Sequence, residues 1–167
     1  MRVGKAVEET ERAKSGRTEF TATELRAASQ AWESFMRAQS LLSREFAKDP
    51  AWKEGSMREY DVLYTLVKGG RPLRQGELLD QVLLSQPALS RLLSKMVERG
   101  LLIQSTDPSD ARSAFFTPSE QGLALQRRLG KAHGEQIAKR LYGALSPEQV
   151  TQLRALSEQL CSPLSKA

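Results

Sequence analysis

At 167 residues the chain fits one domain, or one compact domain with an added dimerisation layer, and its 40% apolar and 27% charged residues are ordinary for a soluble globular protein. Apolar runs of only a few residues span no bilayer, and the first ten residues lack the apolar stretch of a secretory leader, so a cytoplasmic protein is expected. A net charge of +5 favours an anionic partner only mildly, a single cysteine (Cys161) excludes an internal disulfide framework and a cysteine zinc site, and a single histidine (His133) leaves little for catalysis.

Residues 1–20 are charged, mixed in sign and poor in aromatics, which suits a solvated, frayed arm better than a DNA-binding one. A long helix is predicted from Thr23 to about Lys48, because Leu25, Ala28, Trp32, Phe35 or Met36, Leu42 and Phe46 recur at three- and four-residue steps. Asp49-Pro50 ends it. Ser56-Met-Arg-Glu59 has capping-box spacing and opens a second helix, which buries Met57, Tyr60, Leu63 and Val67 and stops at Gly69-Gly70.

Arg71-Pro72-Leu73 reads as a short extended stretch, since Pro72 pushes Arg71 out of the helical region. Gln75–Gln81 is a short helix with Leu78, Leu79 and Val82 inward. After a turn through Leu83 and Leu84, Ser85 caps a helix to about Arg99, with Pro87 in its first turn and Gly100 as its stop. A hairpin follows: strand-like Leu101–Ser105, a polar turn over 107–112, and a returning strand Ser113–Thr117. Thr117-Pro-Ser-Glu120 is the start signal of a helix to about Tyr142, with Pro118 at its first position. Ser146-Pro-Glu-Gln149 starts a last helix, in which Val150, Leu153, Leu156 and Leu160 share a face.

The middle therefore reads as short helix, turn, longer helix and two-stranded wing. In such a helix-turn-helix the second helix lies in the major groove, whose width admits it and whose edges carry the base code. Over residues 85–99, Leu89, Leu92, Leu93, Met96 and Val97 form an inward stripe, and Ser85, Gln86, Ser90, Arg91, Ser94 and Lys95 lie off it. Gln86 suits an adenine, Arg91 a guanine or a phosphate, and the serines phosphates or base edges. An ordinary amphipathic helix with a solvated face has the same periodicity; the short helix, turn and wing around it favour DNA. Arg112, near the tip of the hairpin and orientable by Asp110, suits either a narrow minor groove or a surface ion pair. Six basic residues meet five acidic ones over 71–112, so the argument rests on where charges point and not on their number.

The sequence resembles the MarR family of winged-helix regulators over about residues 25–163. The resemblance is carried by Leu84-Ser-Gln-Pro-Ala-Leu-Ser-Arg-Leu-Leu93, by Met96-Val-Glu-Arg-Gly-Leu-Leu102, and most specifically by Asp110-x-Arg112 followed by Thr117-Pro-x-x-x-Gly122. It implies a mainly α fold with a small β-wing. Its parts would be the arm 1–20, a dimerisation helix and linker 21–55, a winged helix-turn-helix lobe 56–118, and C-terminal dimerisation helices 119–167. It also implies a homodimer that binds a pseudo-palindromic operator in double-stranded DNA and represses transcription. Ser85, Gln86, Pro87, Ser90, Arg91, Ser94 and Lys95 would face the major groove, and Asp110 and Arg112 would serve the wing. Arg71 and Arg74 are candidates for the DNA backbone. A small aromatic or phenolic effector is a further implied partner, with Trp32, Phe35, Tyr60 and Tyr64 as candidates by approximate position; plain core packing is the competing reading of these rings.

Two departures stand out: Arg74 where relatives have a Thr or Ser cap, and Leu83 where many have glycine in the turn. Gly130 and Gly134, four apart, favour close helix packing. Cys161, beside an apolar face, reads as a buried thiol. No catalytic residue, metal ligand set, cofactor or membrane partner is expected. The alternative function is a winged helix that contacts proteins without specific DNA binding.

Overall fold

The computed structural model describes residues 19–107 and 110–162, with the side chains of 107 and 110–113 outside the description. In chain order it contains α1 (Ala22–Phe46), a 3-10 turn (Pro50–Lys53), α2 (Met57–Gly69), β1 (Leu73–Arg74), α3 (Gln75–Leu79), α4 (Gln86–Glu98), β2 (Leu102–Asp107), β3 (Asp110–Pro118), α5 (Glu120–Tyr142) and α6 (Pro147–Cys161). The fold is thus mainly helical with a small sheet, a winged helix-turn-helix with further helices. It divides into two compact units at Arg44/Glu45.

The first unit is most of α1. Its start lies one residue earlier than expected: the Thr21 hydroxyl accepts from the Glu24 N–H (3.2 Å), and the Thr21 N–H donates to the Glu24 carboxylate (2.9 Å). That reciprocal cap satisfies orphan donors of the first turn, so Thr23 becomes an ordinary helical residue. The apolar stripe of α1 is not buried within the chain. Leu25, Trp32, Phe35, Met36 and Leu41 are all exposed, and no residue of the helix is buried.

The second unit has its own core. It is built from Val62, Leu63 and Leu66 of α2, Leu89, Leu93 and Met96 of α4, and Leu125 and Leu129 of α5, closed by Leu73, Leu78, Leu101, Leu102 and Phe116. Each fully buried leucine contributes about 1.5–3 kcal/mol. The buried face of α2 is turned from the one expected: Glu59, Val62, Leu63 and Leu66 face inward, whereas Val67 is exposed and Met57 half-buried. The cause is Glu59. Its carboxylate accepts from the Ser56 N–H (2.7 Å) and hydroxyl (3.0 Å) and from Arg99 Nη1, so it must point into the protein and takes the 59/62/63/66 row with it.

Gly70 ends α2 and Gly100 ends α4 in the left-handed conformation (φ 65° and 69°), as C-terminal glycines do. The sheet has three strands, not two, in the order β1-β3-β2. Leu73 pairs with Phe116 and Arg74 with Phe115, while Ile103 pairs with Thr117 and Leu102 with Pro118. The stretch held extended by Pro72 thus becomes an edge strand. Because Thr117 and Pro118 stay in the sheet, Ser119 caps α5 instead, accepting from the Gly122 N–H (3.0 Å) while donating to the Gly100 carbonyl. Gly122 of the Thr-Pro-x-x-x-Gly motif has a packing reason: a Cβ there would overlap the Leu101 carbonyl oxygen.

Gly130 packs against the Tyr60 ring, but Gly134 meets nothing, so only the first of the pair supports close packing. Cys161 is exposed, because the apolar row Leu153, Leu156 and Leu160 beside it is itself uncovered within the chain.

Burial alone would raise the pKa of Glu59; the Ser56 and Arg99 hydrogen bonds outweigh it and hold the carboxyl below its ordinary value. Its contribution to stability is present above the unfolded value near 4.3 and is lost as pH falls through the lowered folded value. Arg99 is 39% exposed, which moderates the ion pair. Glu59→Gln should therefore cost about 1.5–3 kcal/mol, the range for hydrogen bonds to a charged group. Chemical denaturation at pH 7 checks this, and an unchanged midpoint would remove Glu59 from the fold's support.

Candidate nucleic-acid interface

The helix-turn-helix consists of α3 and α4. At the start of α3 the residue in the capping position, Arg74, has no accepting side chain; the Glu77 carboxylate reaches back to the Arg74 N–H (2.8 Å) and supplies half of a capping box. Glu77 also takes the Arg71 guanidinium, the foremost cause of its lowered pKa. Arg71 thus brings its charge already paired. Arg74 lies over the Phe115 ring (5.1 Å to the centroid), which ties its guanidinium to the wing. The turn needs no glycine: Leu83 stands there fully exposed, and no non-glycine among the described residues has a positive φ.

On α4, Leu89, Leu93 and Met96 are buried and Leu92 and Val97 half-buried, as the periodicity requires. At 100° per residue this leaves Pro87, Arg91, Ser94 and Glu98 along the outer ridge. Ser90 lies on one flank and Lys95 on the other. Ser85, Gln86, Pro87, Ser90, Arg91, Ser94 and Lys95 are all exposed. Ser85 has N-cap backbone geometry, yet its side chain makes no cap bond. The Ser94 hydroxyl donates to the Ser90 carbonyl (3.2 Å), leaving its oxygen as an outward acceptor.

Between this helix and the sheet lies a cleft of about 560 Å³, lined by Arg74, Gln75, Glu77, Ser90, Ser94 and Gln104 among others. Gln75 and Gln104 are additions to the sequence reading. The signal for Gln104 was present: it sits one residue from exposed Ile103 in an alternating strand, opposite Phe116. The backbone of Asp110 and Arg112 lies in β3, and their side chains lie outside the description.

The four aromatic candidates separate. On α1, Trp32 and Phe35 form an exposed pair with ring centroids 6.0 Å apart. On α2, Tyr60 is half-buried and Tyr64 exposed, 5.9 Å apart. Tyr60 also belongs to a cluster that the sequence does not announce. The His133 ring meets Phe46 (5.2 Å), Trp52 (5.4 Å) and Tyr60 (5.7 Å) edge-on. Trp52 donates its indole N–H to the Phe46 carbonyl (2.7 Å). No group of three or more histidine, cysteine or acidic side chains among the described residues could hold a metal, and no described helix is long and apolar enough to cross a membrane.

Burial lowers the pKa of His133, and the charges of Asp61 and Asp49 offset this only in part. The unfolded chain therefore takes up a proton at His133 more readily than the folded one. Stability is complete above about pH 6.5 and is lost as pH falls from there through the lowered folded value. Wild-type Tm should fall between about pH 7 and pH 5.5, and less so in His133→Phe; superimposable Tm profiles from circular dichroism would contradict the assignment.

Comparison with known proteins agrees with this geometry. A model of the MarR family matches residues 56–113, which contain α2, the helix-turn-helix, β2 and the start of β3. The HTH-type transcriptional regulator MhqR of Bacillus subtilis is 31% identical over 93 residues, covering 55% of this chain and 62% of MhqR, less than two thirds of that relative's length. The fold is shared with AbsC, a MarR family transcriptional regulator from Streptomyces coelicolor (TM-score 0.69, 24% identity, 90% of this chain and 97% of AbsC). It is shared as well with a second such regulator from the same organism, crystallised in complex with DNA (TM-score 0.71, 22% identity, 90% and 92% covered).

Proposed function

This chain is a homologue of the MarR-family winged-helix regulators, and from that premise we propose that it is a DNA-binding transcriptional regulator, a homodimeric repressor of a pseudo-palindromic operator. The observation that carries the reading is the outer surface of α4. The side chains of Ser85, Gln86, Arg91 and Lys95 make no hydrogen bond or ion pair among the described residues, on a helix whose opposite face is locked into the core. Donors and acceptors left without an internal partner on a rigid helix are what base edges and phosphates require.

In this proposal Ser85, Gln86, Pro87, Ser90, Arg91 and Ser94 enter the major groove with Lys95 beside them. Arg74 serves the backbone from its place over Phe115, with Arg71 behind it. Arg112 enters the minor groove from the wing with Asp110 orienting it. Homodimerisation is supported by the uncovered apolar rows of α1 and α6, which a second copy would bury. A two-fold dimer places its half-sites about one helical turn apart, and occupancy of such a site near a promoter represses by exclusion. A small aromatic or phenolic effector that releases the DNA completes the reading. Two separate ring pairs are candidates to receive it: the exposed Trp32–Phe35 pair of α1, or the Tyr60–Tyr64 pair of α2, in which Tyr64 is exposed and Tyr60 half-buried.

Fluorescence-anisotropy titration against DNA from upstream of the protein's own gene, beside a scrambled duplex, tests this. Tight, salt-steep binding that prefers the upstream DNA is expected. Arg91→Ala should cost about 1–3 kcal/mol on the specific duplex if the guanidinium holds a base, and Arg112→Ala should weaken binding most over A/T-rich flanks. Weak, equal binding to both duplexes would point instead to a winged helix serving protein partners.

A further inference from the structure

The flank of α4 away from the wing carries a feature that the major-groove reading does not use. Arg58 stands in the first turn of α2, whose start is fixed by the Ser56–Glu59 capping box. Glu59 turns inward to Arg99, so the neighbouring Arg58, 100° around the helix, is sent to the surface. There it meets α4. Arg58, Arg91 and Lys95 line one depression of about 240 Å³ whose remaining walls are Leu84, Ala88 and Leu92.

Three cations converge without a counter-charge. None of them makes an ion pair or hydrogen bond among the described residues. Several other cations of the same unit do have counter-charges: Arg71 pairs with Glu77, Arg99 with Glu59, Arg128 with Glu54 and Arg140 with Glu45. The acids nearest in sequence do not intervene. Neither Asp61 nor Glu98 makes an ion pair among the described residues. Gathering three like charges is unfavourable unless an anion joins them. The depression borders Arg91 on the outer ridge of the proposed reading helix, so an anion held there lies beside the major groove, where a duplex carries its phosphates.

We propose that Arg58 and Lys95, with Arg91 at the rim, form a seat for one phosphate of the DNA backbone. This contact carries no sequence information; it sets the register and tilt of α4 in the groove. The inference rests on the DNA-binding reading and adds Arg58, a residue outside the helix-turn-helix, to the interface.

The test is anisotropy titration of the full chain on the upstream and scrambled duplexes from 50 mM to 200 mM salt, using wild type, Arg58→Ala, Arg58→Lys and Lys68→Ala, a control at the other end of α2. Arg58→Ala should weaken binding to both duplexes by the same factor and reduce the salt slope by about one, so that its loss is roughly fourfold greater at 50 mM than at 200 mM. Arg58→Lys should keep the slope and Lys68→Ala should change nothing. Unchanged Tm verifies folding, since Arg58 is exposed and has no internal partner to lose. An unaltered slope in Arg58→Ala, on a duplex that wild type binds steeply, overturns the seat alone. A loss confined to the upstream duplex also overturns it, by making Arg58 a base reader. Inorganic phosphate at matched ionic strength that raises the Tm of wild type but not of Arg58→Ala, with the DNA slope unchanged, assigns the depression to a free anion instead. Shallow binding by wild type to both duplexes overturns the DNA reading and the seat with it.

Discussion

The carboxylate of Glu59 joins two parts of the molecule that lie far apart in sequence, the start of α2 and the end of α4. It closes the N-terminus of α2 through Ser56, receives the Arg99 guanidinium from the end of α4, and by turning inward sets which face of α2 enters the core. Arg99 extends the tie by donating to the Glu54 carbonyl (3.3 Å), and Glu54 in turn holds Arg128 of α5 (2.9 Å). A buried charge is costly unless each of its lone pairs is met, and here they are met by groups from two helices. The consequence is positional: α4 is fixed at its C-terminal end by an ion pair and along its length by Leu89, Leu93 and Met96, so its polar ridge has one orientation. A reading helix needs that rigidity, because base-edge hydrogen bonds tolerate little displacement.

Local chemistry made much of this fold legible. The boxes at Ser56–Glu59 and Ser146–Gln149, the stops at Gly70 and Gly100, and the inward row of α4 follow from caps, left-handed glycines and the 3.6-residue period, all short-range effects. What escaped depends on distant partners. The face of α2 was misplaced because Glu59, a polar residue, is buried for the sake of Arg99, forty residues away. The cap of α5 was placed two residues early because Thr117 and Pro118 are claimed by pairing with β2. The third strand and the His133 cluster likewise need the tertiary structure to bring Leu73 to Phe116 and His133 to Trp52.

The same division holds at the candidate interface. The exposure of Ser85, Gln86, Arg91 and Lys95 was readable from periodicity, since exposure on a helix is set by its own apolar row. That Arg71 is already paired with Glu77 and that Arg58 shares a depression with Arg91 and Lys95 was not, because both depend on how separate elements dock. The stripes of α1 and α6 carry the opposite lesson. Their periodicity is that of buried helices, and their side chains are nonetheless uncovered within one chain, which is the pattern of a face completed by a partner.

The proposed chain of cause runs from the Glu59 anchor, through a fixed α4, to an outer ridge whose donors and acceptors await an external partner. Hydrogen–deuterium exchange with and without saturating upstream duplex tests it most directly, because it reports where the chain is covered. Protection concentrated in residues 85–95 and in the wing strands over 102–118 is the expected result. Protection confined to α1 and α6, or none at saturation, would contradict the assignment of α4 as the surface that meets DNA.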